Sequence, residues 1–351
     1  MSERKILPIA NTFIPSFRWL FGSVAVILFL FFLFLAPNNF QGGKKVVPVY
    51  RGEPFTHVVD SLDVHGVISR PFFFRLAGKI IGASSKVKAG RYVFASGLSN
   101  WKILHDIIDG TSVINPTVTV REGLRAMQIA RLLHNEIGID SAKFMGYVAD
   151  TSLLGLRNCE AISLEGFLMP ETYDFYWQMD EKAIVEEMVG EFRKFYVDSL
   201  QMRTKKLRVT INEVVTLASI VEGETARENE RPLIAGLYYN RLRRRMKLEA
   251  DPTIQYLING PRRIHYDDLR IESPYNTYRN YGLPPGPINN PGRKSILAAL
   301  YPKKNPYLYF VADGNGGHRF ARTLAEHIRN VYEYRHQRRL EEKDNFQPQS
   351  R

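Results

Sequence analysis

Cysteine is all but missing: Cys159 is the single one in 351 residues. An internal disulfide is therefore excluded, and with no CxxC or Cys/His spacing an ordinary zinc site is excluded as well. Phosphate-loop, GxGxxG, HExxH and GxSxG strings are also absent, which removes the nucleotide-binding, zinc-protease and serine-hydrolase signatures. Asp313-Gly314-Asn315 opens like a calcium loop, but the later positions fail, so it is read as a turn. Nothing indicates a metal or any other cofactor. Acidic residues are scarce beside basic ones, 36 against 48, for a formal net charge of +12. That balance suits nucleic acid, an anionic membrane surface or another polyanion such as cell wall. The densest basic knot is Arg241, Arg243, Arg244, Arg245 and Lys247. No zinc-finger, RNP1 or KH signature accompanies it, so no nucleic-acid partner is expected.

What is present is enough apolar matter for a core: 44% hydrophobic residues, with 18 Tyr and 21 Phe. One apolar run stands apart. Residues 19–36 form eighteen positions without a charge, and a helix of that length covers roughly 27 Å, close to the hydrocarbon thickness of a bilayer. Trp19 lies at one end, where an amphipathic ring prefers the interface. A cleaved signal peptide is the rival reading. It needs small residues before its cut, and Phe34 occupies the position two before Ala36. An uncleaved anchor is favoured. Arg4, Lys5 and Arg18 lie before the span, which weakly orients the N-terminus inside.

Beyond the span the periodicities switch. Helices are expected over 54–67, 72–81, 101–108 (capped by Ser99 or Asn100, with Gly110 after it) and 126–137. Further helices are expected over 182–200, 212–227, 232–245 and 323–339. Residues 88–94 and 117–120 read as strands, and 307–312 with 318–321 as a strand–turn–strand pair. Residues 280–293 hold four prolines and three glycines and read as an ordered loop. Helices and strands in no strict alternation argue for an α+β fold.

Chemistry concentrates around Glu222 and Glu224. On a helix Val214, Leu217, Ala218 and Val221 make one apolar stripe, and the two glutamates, two positions apart, fall at its opposite edges. Either can be a half-buried carboxyl with a raised pKa, as a general acid requires. The plainer alternative is that both are boundary glutamates paired with arginines. Polar and aromatic clusters follow in Asn240-Arg241-Leu242, in Ala250 to Tyr256 and in Tyr275-Asn276-Thr277-Tyr278, of the kind a sugar-binding cleft needs. Each singly is explained equally well by turn chemistry or core tyrosines. Cys159 lacks a convincing catalytic partner and reads as a packed thiol.

Together, these strings make the chain resemble the endolytic murein transglycosylases, the YceG-like family. The resemblance is carried by Leu164-Glu165-Gly166-Phe167 with Pro170-Glu171-Thr172-Tyr173, and by Ala218 to Thr225. It continues through Asn240-Arg241-Leu242, Asp251-Pro252-Thr253, Tyr275 to Tyr278 and Gly282 to Ile288, and ends with Pro306 to Val311 and Gly317-His318-Arg319-Phe320. Two positions depart from the pattern. Gly223 stands where members commonly carry a larger residue such as Lys, and Glu171 where Asp is common.

The residues themselves give 1–18 as a cytoplasmic N-terminus, 19–36 as a transmembrane helix, 37–47 as a linker and 341–351 as a polar tail, and the resemblance implies a small LysM-like subdomain over 48–115 and the catalytic domain over 116–340. It implies a body on the periplasmic or outer face of the bacterial cytoplasmic membrane, with peptidoglycan glycan strands as substrate and peptidoglycan synthases as possible partners. It implies that Glu224 is the catalytic residue, first acid and then base, cutting the MurNAc–GlcNAc bond without water to leave a 1,6-anhydro end. Glu165, Glu222, Asn240, Asp251, Gln255, Asn276, Tyr278 and His318 are the candidates for the surrounding cleft. A hydrolase would need a second carboxyl, for which Asp251 and Glu222 are available. A membrane-tethered wall-binding adaptor without catalysis is the non-enzymatic alternative.

Overall fold

A computed structural model describes residues 14–345 except 115, 157, 158, 259 and 261. The chain divides into two compact units, one of residues up to 116 with 176–178, the other of 117–175 with 179 onward. All sheets among the described residues are two-stranded and antiparallel, and helices dominate, so the fold is mixed α+β.

The first unit begins with α1 (Ile14–Leu30), which runs into a π-helical turn, Phe31–Leu35. Then come β1 (Pro37–Asn38), β2 (Lys44–Val49), α2 (Phe55–Val64), α3 (Pro71–Ile80), β3 (Gly90–Ala95), β4 (Leu98–Ser99) and α4 (Asn100–Asp109). β2 pairs with β3 along six residues, with α2 and α3 between them in sequence. Val58, Val59, Leu62, Phe74, Tyr92, Phe94 and Ile103 are buried together as its core. α4 is closed at both ends by local chemistry: the Ser99 hydroxyl accepts from Lys102 N, and Gly110 takes the left-handed conformation.

One expectation changes here. Residues 37–47 are not a plain linker. β1 and the start of β2 lie within them, and Asn38 Nδ2 donates to Asn100 Oδ1 at 2.9 Å. No helix among the described residues is long and apolar enough to cross a membrane. The apolar run is divided between a 17-residue helix and the π turn. The end of the run joins the unit's core: Leu33 is buried, and Asn100 Nδ2 donates to its carbonyl at 3.1 Å.

The second unit contains β5 (Thr117–Thr119), α5 (Ala126–Ile137), α6 (Ser141–Ala149), β6 (Thr172–Asp174), α7 (Glu181–Phe195), α8 (Asp198–Leu207) and α9 (Ile211–Glu224). It continues with α10 (Arg231–Arg243), α11 (Asp251–Leu257), α12 (Arg293–Leu300), β7 (Tyr309–Ala312), β8 (His318–Ala321) and α13 (Leu324–Asn345). The helix expected over 182–200 is in fact two. Tyr196 leaves the helical conformation, stacks on Phe192 and hydrogen-bonds Thr204 through its hydroxyl at 2.6 Å, so a local pattern of one helix gives way to a tertiary contact. The strand pair β7–β8 and the irregular stretch before α12 form where expected.

α9 is the centre of this unit. Its start is set by a capping box: Thr210 accepts from Glu213 N, and Glu213 accepts from Thr210 N at 2.7 Å. From Val214 to Val221 every residue is buried, because α8, α10, α11 and α12 pack around it. The apolar stripe is thus part of a helix covered on all sides. Its polar Ser219 is satisfied inside, donating to Thr216 O at 2.8 Å and accepting from Ile288 N at 3.0 Å.

Close to this core, Gly166 has φ +89, and a Cβ there would meet Pro287 and lie 2.9 Å from Val215 Cγ1. Gly166→Ala should therefore destabilise the fold by about 3 kcal/mol, the sum of a left-handed alanine and local overpacking. Urea unfolding of the variant beside the parent checks this through the midpoint at unchanged slope.

Candidate active site

α9 ends at Glu224, the point where the chain leaves the buried core. A groove of about 650 Å³ opens there, within the size range of small-molecule sites. α9 supplies Gly223 and Glu224, and α11 supplies Asp251, Pro252 and Gln255. The N-terminal part of α5 supplies Met127, Gln128 and Arg131. Arg125, Ile288 and Asn289 also line it.

Glu224 is half-buried, and the surrounding protein strips enough water from its carboxyl to push its pKa up to about 7. Tyr238, fully buried on α10, donates its hydroxyl to Glu224 Oε1 at 2.6 Å, which works against that rise by stabilising the carboxylate. The negative charge of Asp251 works with it, and the cation of Arg241 against it. Tyr238 is pushed well up by burial and by Glu224, so it remains a donor. Asp251, exposed at the first turn of α11, accepts from the Tyr278 hydroxyl at 2.6 Å. The site therefore holds two carboxyls, each with one oxygen engaged by a tyrosine. One of them is poised to exchange a proton near neutral pH.

Gly223 has a packing reason in this chain. A Cβ at that position would lie 2.7 Å from Pro252 Cβ and 2.9 Å from its Cγ. Pro252 occupies the space beside the last turn of α9, and Asp251 precedes it directly. Glu171, the other departure, makes an ion pair with Arg293 at 2.6 Å and does not line the groove.

The remaining sequence candidates separate into those the fold brings to the groove and those it does not. Gln255 lines it, with its amide donating to Gly260 O at 2.9 Å. Glu222 does not: its carboxylate is almost fully buried, paired with Arg231 at 2.9 Å and accepting from Gly292 N at 3.1 Å. Burial raises its pKa, and those two contacts oppose the rise. The arginine-paired alternative thus describes Glu222 and not Glu224. Glu165 lies off the groove as well. It accepts from Ala126 N at 2.9 Å, the first amide of α5, and from Asn290 Nδ2 at 2.8 Å, while desolvation lifts its pKa to about 7.

Asn240 pins the segment before β7 through Asn305 O and Tyr307 O, both at 2.9 Å. It lines a separate cavity of about 550 Å³ with Gly236 and Tyr239. Asn276 is fully buried and serves a turn, donating to Leu269 O and Ile271 O and accepting from Tyr278 N. His318 Nδ1 contacts Glu230 at 2.7 Å and likewise does not line the groove. These three side chains are consumed by backbone and ion-pair partners, which sequence pattern does not reveal.

Sequence reasoning missed Tyr238, Arg125, Arg131 and Asn289. Tyr238 stands two residues before the Asn240 string, on a different helix from Glu224, so no local spacing connects it to the carboxyl. Arg125, Gln128 and Arg131 recur every third residue on the polar side of α5, the one signal that could have marked a groove wall. Among the described residues no group of three or more His, Cys, Asp or Glu is arranged to hold a metal ion.

Comparison with known proteins bears on this geometry. The YceG-like family model matches residues 47–333. An endolytic murein transglycosylase of Bacillus subtilis is 33% identical over 301 residues, covering 81% of this chain and 82% of that protein. One from Streptococcus pneumoniae is 28% identical over 333 residues, covering 86% of this chain and 60% of the relative. A crystal structure of a yceG-like protein from Listeria monocytogenes superposes with a TM-score of 0.58 at 30% identity, covering 82% of this chain and 98% of that one.

Opposite effects on the pH profile should follow from the two groups that flank Glu224. Tyr238→Phe removes a hydrogen bond that lowers its pKa, so the alkaline limb, where the acid form is lost near pH 7, moves to higher pH. Asp251→Asn removes a charge that raises it, so the limb moves to lower pH. Profiles of kcat/KM for both variants check the pair; shifts of the same sign would contradict the assignment.

Proposed function

The chain belongs to the YceG-like family, and we propose that it is an endolytic peptidoglycan lytic transglycosylase with Glu224 as its acid and base. The observation that carries this reading is a carboxyl at the end of a buried helix, open to a groove, with a pKa of about 7. Protonated Glu224 donates to the glycosidic oxygen between MurNAc and GlcNAc as positive charge develops at C1. The C1–oxygen bond breaks and the GlcNAc portion leaves with that proton. The Glu224 carboxylate then takes the proton of the MurNAc C6 hydroxyl, and O6 closes onto C1 as a 1,6-anhydro ring. Glu224 ends protonated again, and no water is consumed. The Tyr238 hydrogen bond steadies the anion formed between the two steps. Asp251, held by Tyr278, and Gln255 are the polar groups that contact the sugars. Cutting within nascent strands in this way terminates glycan elongation beside the synthases that make them.

The same reading sets the chain in the cytoplasmic membrane, N-terminus inside and body outside. α1, a 17-residue helix of roughly 26 Å at 1.5 Å per residue, carries most of the apolar run, and the π turn after it packs on the first unit. Phe21, Val26, Ile27 and Leu28 are exposed along α1, an apolar surface that lipid would cover. The β2–α2–α3–β3 order supports a LysM-like role in wall binding for 48–115.

Mass spectrometry of peptidoglycan treated with the full chain in detergent tests the activity. Anhydro-ended glycans are expected from the parent, and at least about a hundredfold fewer from Glu224→Gln at unchanged thermal stability. Reducing ends would indicate a hydrolase, and wall binding without products would indicate an adaptor. The full chain is needed because Leu33 belongs to the core of the first unit. For the anchor, alkaline washing of membranes should leave the chain in the pellet, and its release would contradict a spanning segment.

A further inference from the structure

Two cations line the groove, and only one is committed to the fold. The Arg125 guanidinium donates to the carbonyls of Gln255 and Tyr256, the latter at 3.0 Å, and lies 4.9 Å from the centre of the Tyr256 ring. It ties the wall of the groove together. Arg131 is exposed, and among the described residues no carboxylate pairs with it. α5 explains its position. Ala126, Ile129, Ala130, Leu133 and Ile137 are buried in the core. The residues between them, Met127, Gln128 and Arg131, at spacings of three and four, form one outward face on the groove. The acidic side chains of the groove are Glu224 and Asp251, one acting on the sugar and the other held by Tyr278. A negative group on a bound strand would be repelled by Asp251 and has one uncommitted partner, Arg131.

We infer that Arg131 is a substrate-binding residue that holds a carboxylate of the wall polymer in the groove. The inference rests on the transglycosylase reading and names the part of the strand that the groove selects beyond its sugars. A guanidinium fork receives a carboxylate through two parallel hydrogen bonds, with more directionality than a point charge. That carboxylate has two chemical sources. Stem-bearing strands carry it on the peptide, whereas strands without stems expose the lactyl carboxylate of the muramyl sugar.

The test uses the full chain and Arg131→Gln on stem-bearing strands, on strands stripped of stems by an amidase, and on both after carbodiimide conversion of carboxylates to amides. Arg131→Gln is expected to lose roughly tenfold in kcat/KM, through KM with kcat unchanged. A loss on stem-bearing strands alone identifies the peptide carboxylate, a loss on stripped strands alone the lactyl one, and a loss on both identifies both. On the amide-capped strands the parent should fall to the level of the variant, and Arg131→Lys should recover part of the loss on the native ones. The inference is overturned if the variant loses nothing, if its loss falls on kcat, or if it keeps the same disadvantage on amide-capped strands. A parent inactive on every strand would instead remove the transglycosylase reading itself.

Discussion

Glu224 is the last residue of a helix whose stretch from Val214 to Val221 is buried on every side, and this burial governs the chemistry available to it. A carboxyl on an exposed helix would titrate near its ordinary value and be ionised throughout the neutral range. Here α9 passes through the centre of its unit and delivers the side chain, half-buried, to the groove. Desolvation there makes the acid costly to ionise. Tyr238 offsets part of that cost by donating to one oxygen. The carboxyl can then be ionised for the second half of a reaction without becoming so acidic that it fails in the first.

The walls around Glu224 depend on polar groups that do not themselves line the groove. Asn290 is fully buried, accepts from Gly166 N and Leu168 N, and donates to Leu124 O and to Glu165. Glu165 in turn accepts from the first amide of α5. These bonds fix the start of α5, and with it the face that presents Met127, Gln128 and Arg131. Glu222 plays a corresponding part on the other side of α9 through Arg231 and Gly292. Buried polar groups of this kind are costly unless fully paired, so each defines one arrangement of its neighbours.

Local elements were legible wherever periodicity and caps agreed. The helix over 126–137 has an apolar face at helical spacing and a left-handed glycine after it, and it forms over those residues. The strand pair around Asp313 to Gly317 forms for similarly local reasons. The expected helix over 182–200 breaks because Tyr196 finds a better partner in Thr204 than in a continued turn. Residues 37–47 are polar and carry Gly42 and Gly43, so they look like a linker, yet β2 pairs there with a strand some fifty residues later. The site divides in the same way. Glu224, Asp251 and Gln255 meet in one groove, with Tyr278 reaching it through Asp251. Glu165, Glu222, Asn240, Asn276 and His318 are polar residues of the same chemical kinds, spent on holding the frame.

By itself the sequence determined the mixture of elements, the apolar run before the body, the family strings and the presence of two glutamates near the end of one helix. Which glutamate faces the groove was decided by tertiary structure alone. The two differ by 200° around a helix covered on all sides, so their environments come from α10, α12 and the loop before α12 rather than from α9. Arg231 and Gly292 neutralise Glu222, while Tyr238 and an open groove meet Glu224. A carboxyl's proton affinity is set by what surrounds it within a few ångströms. In this chain those surroundings are assembled from residues distant in sequence.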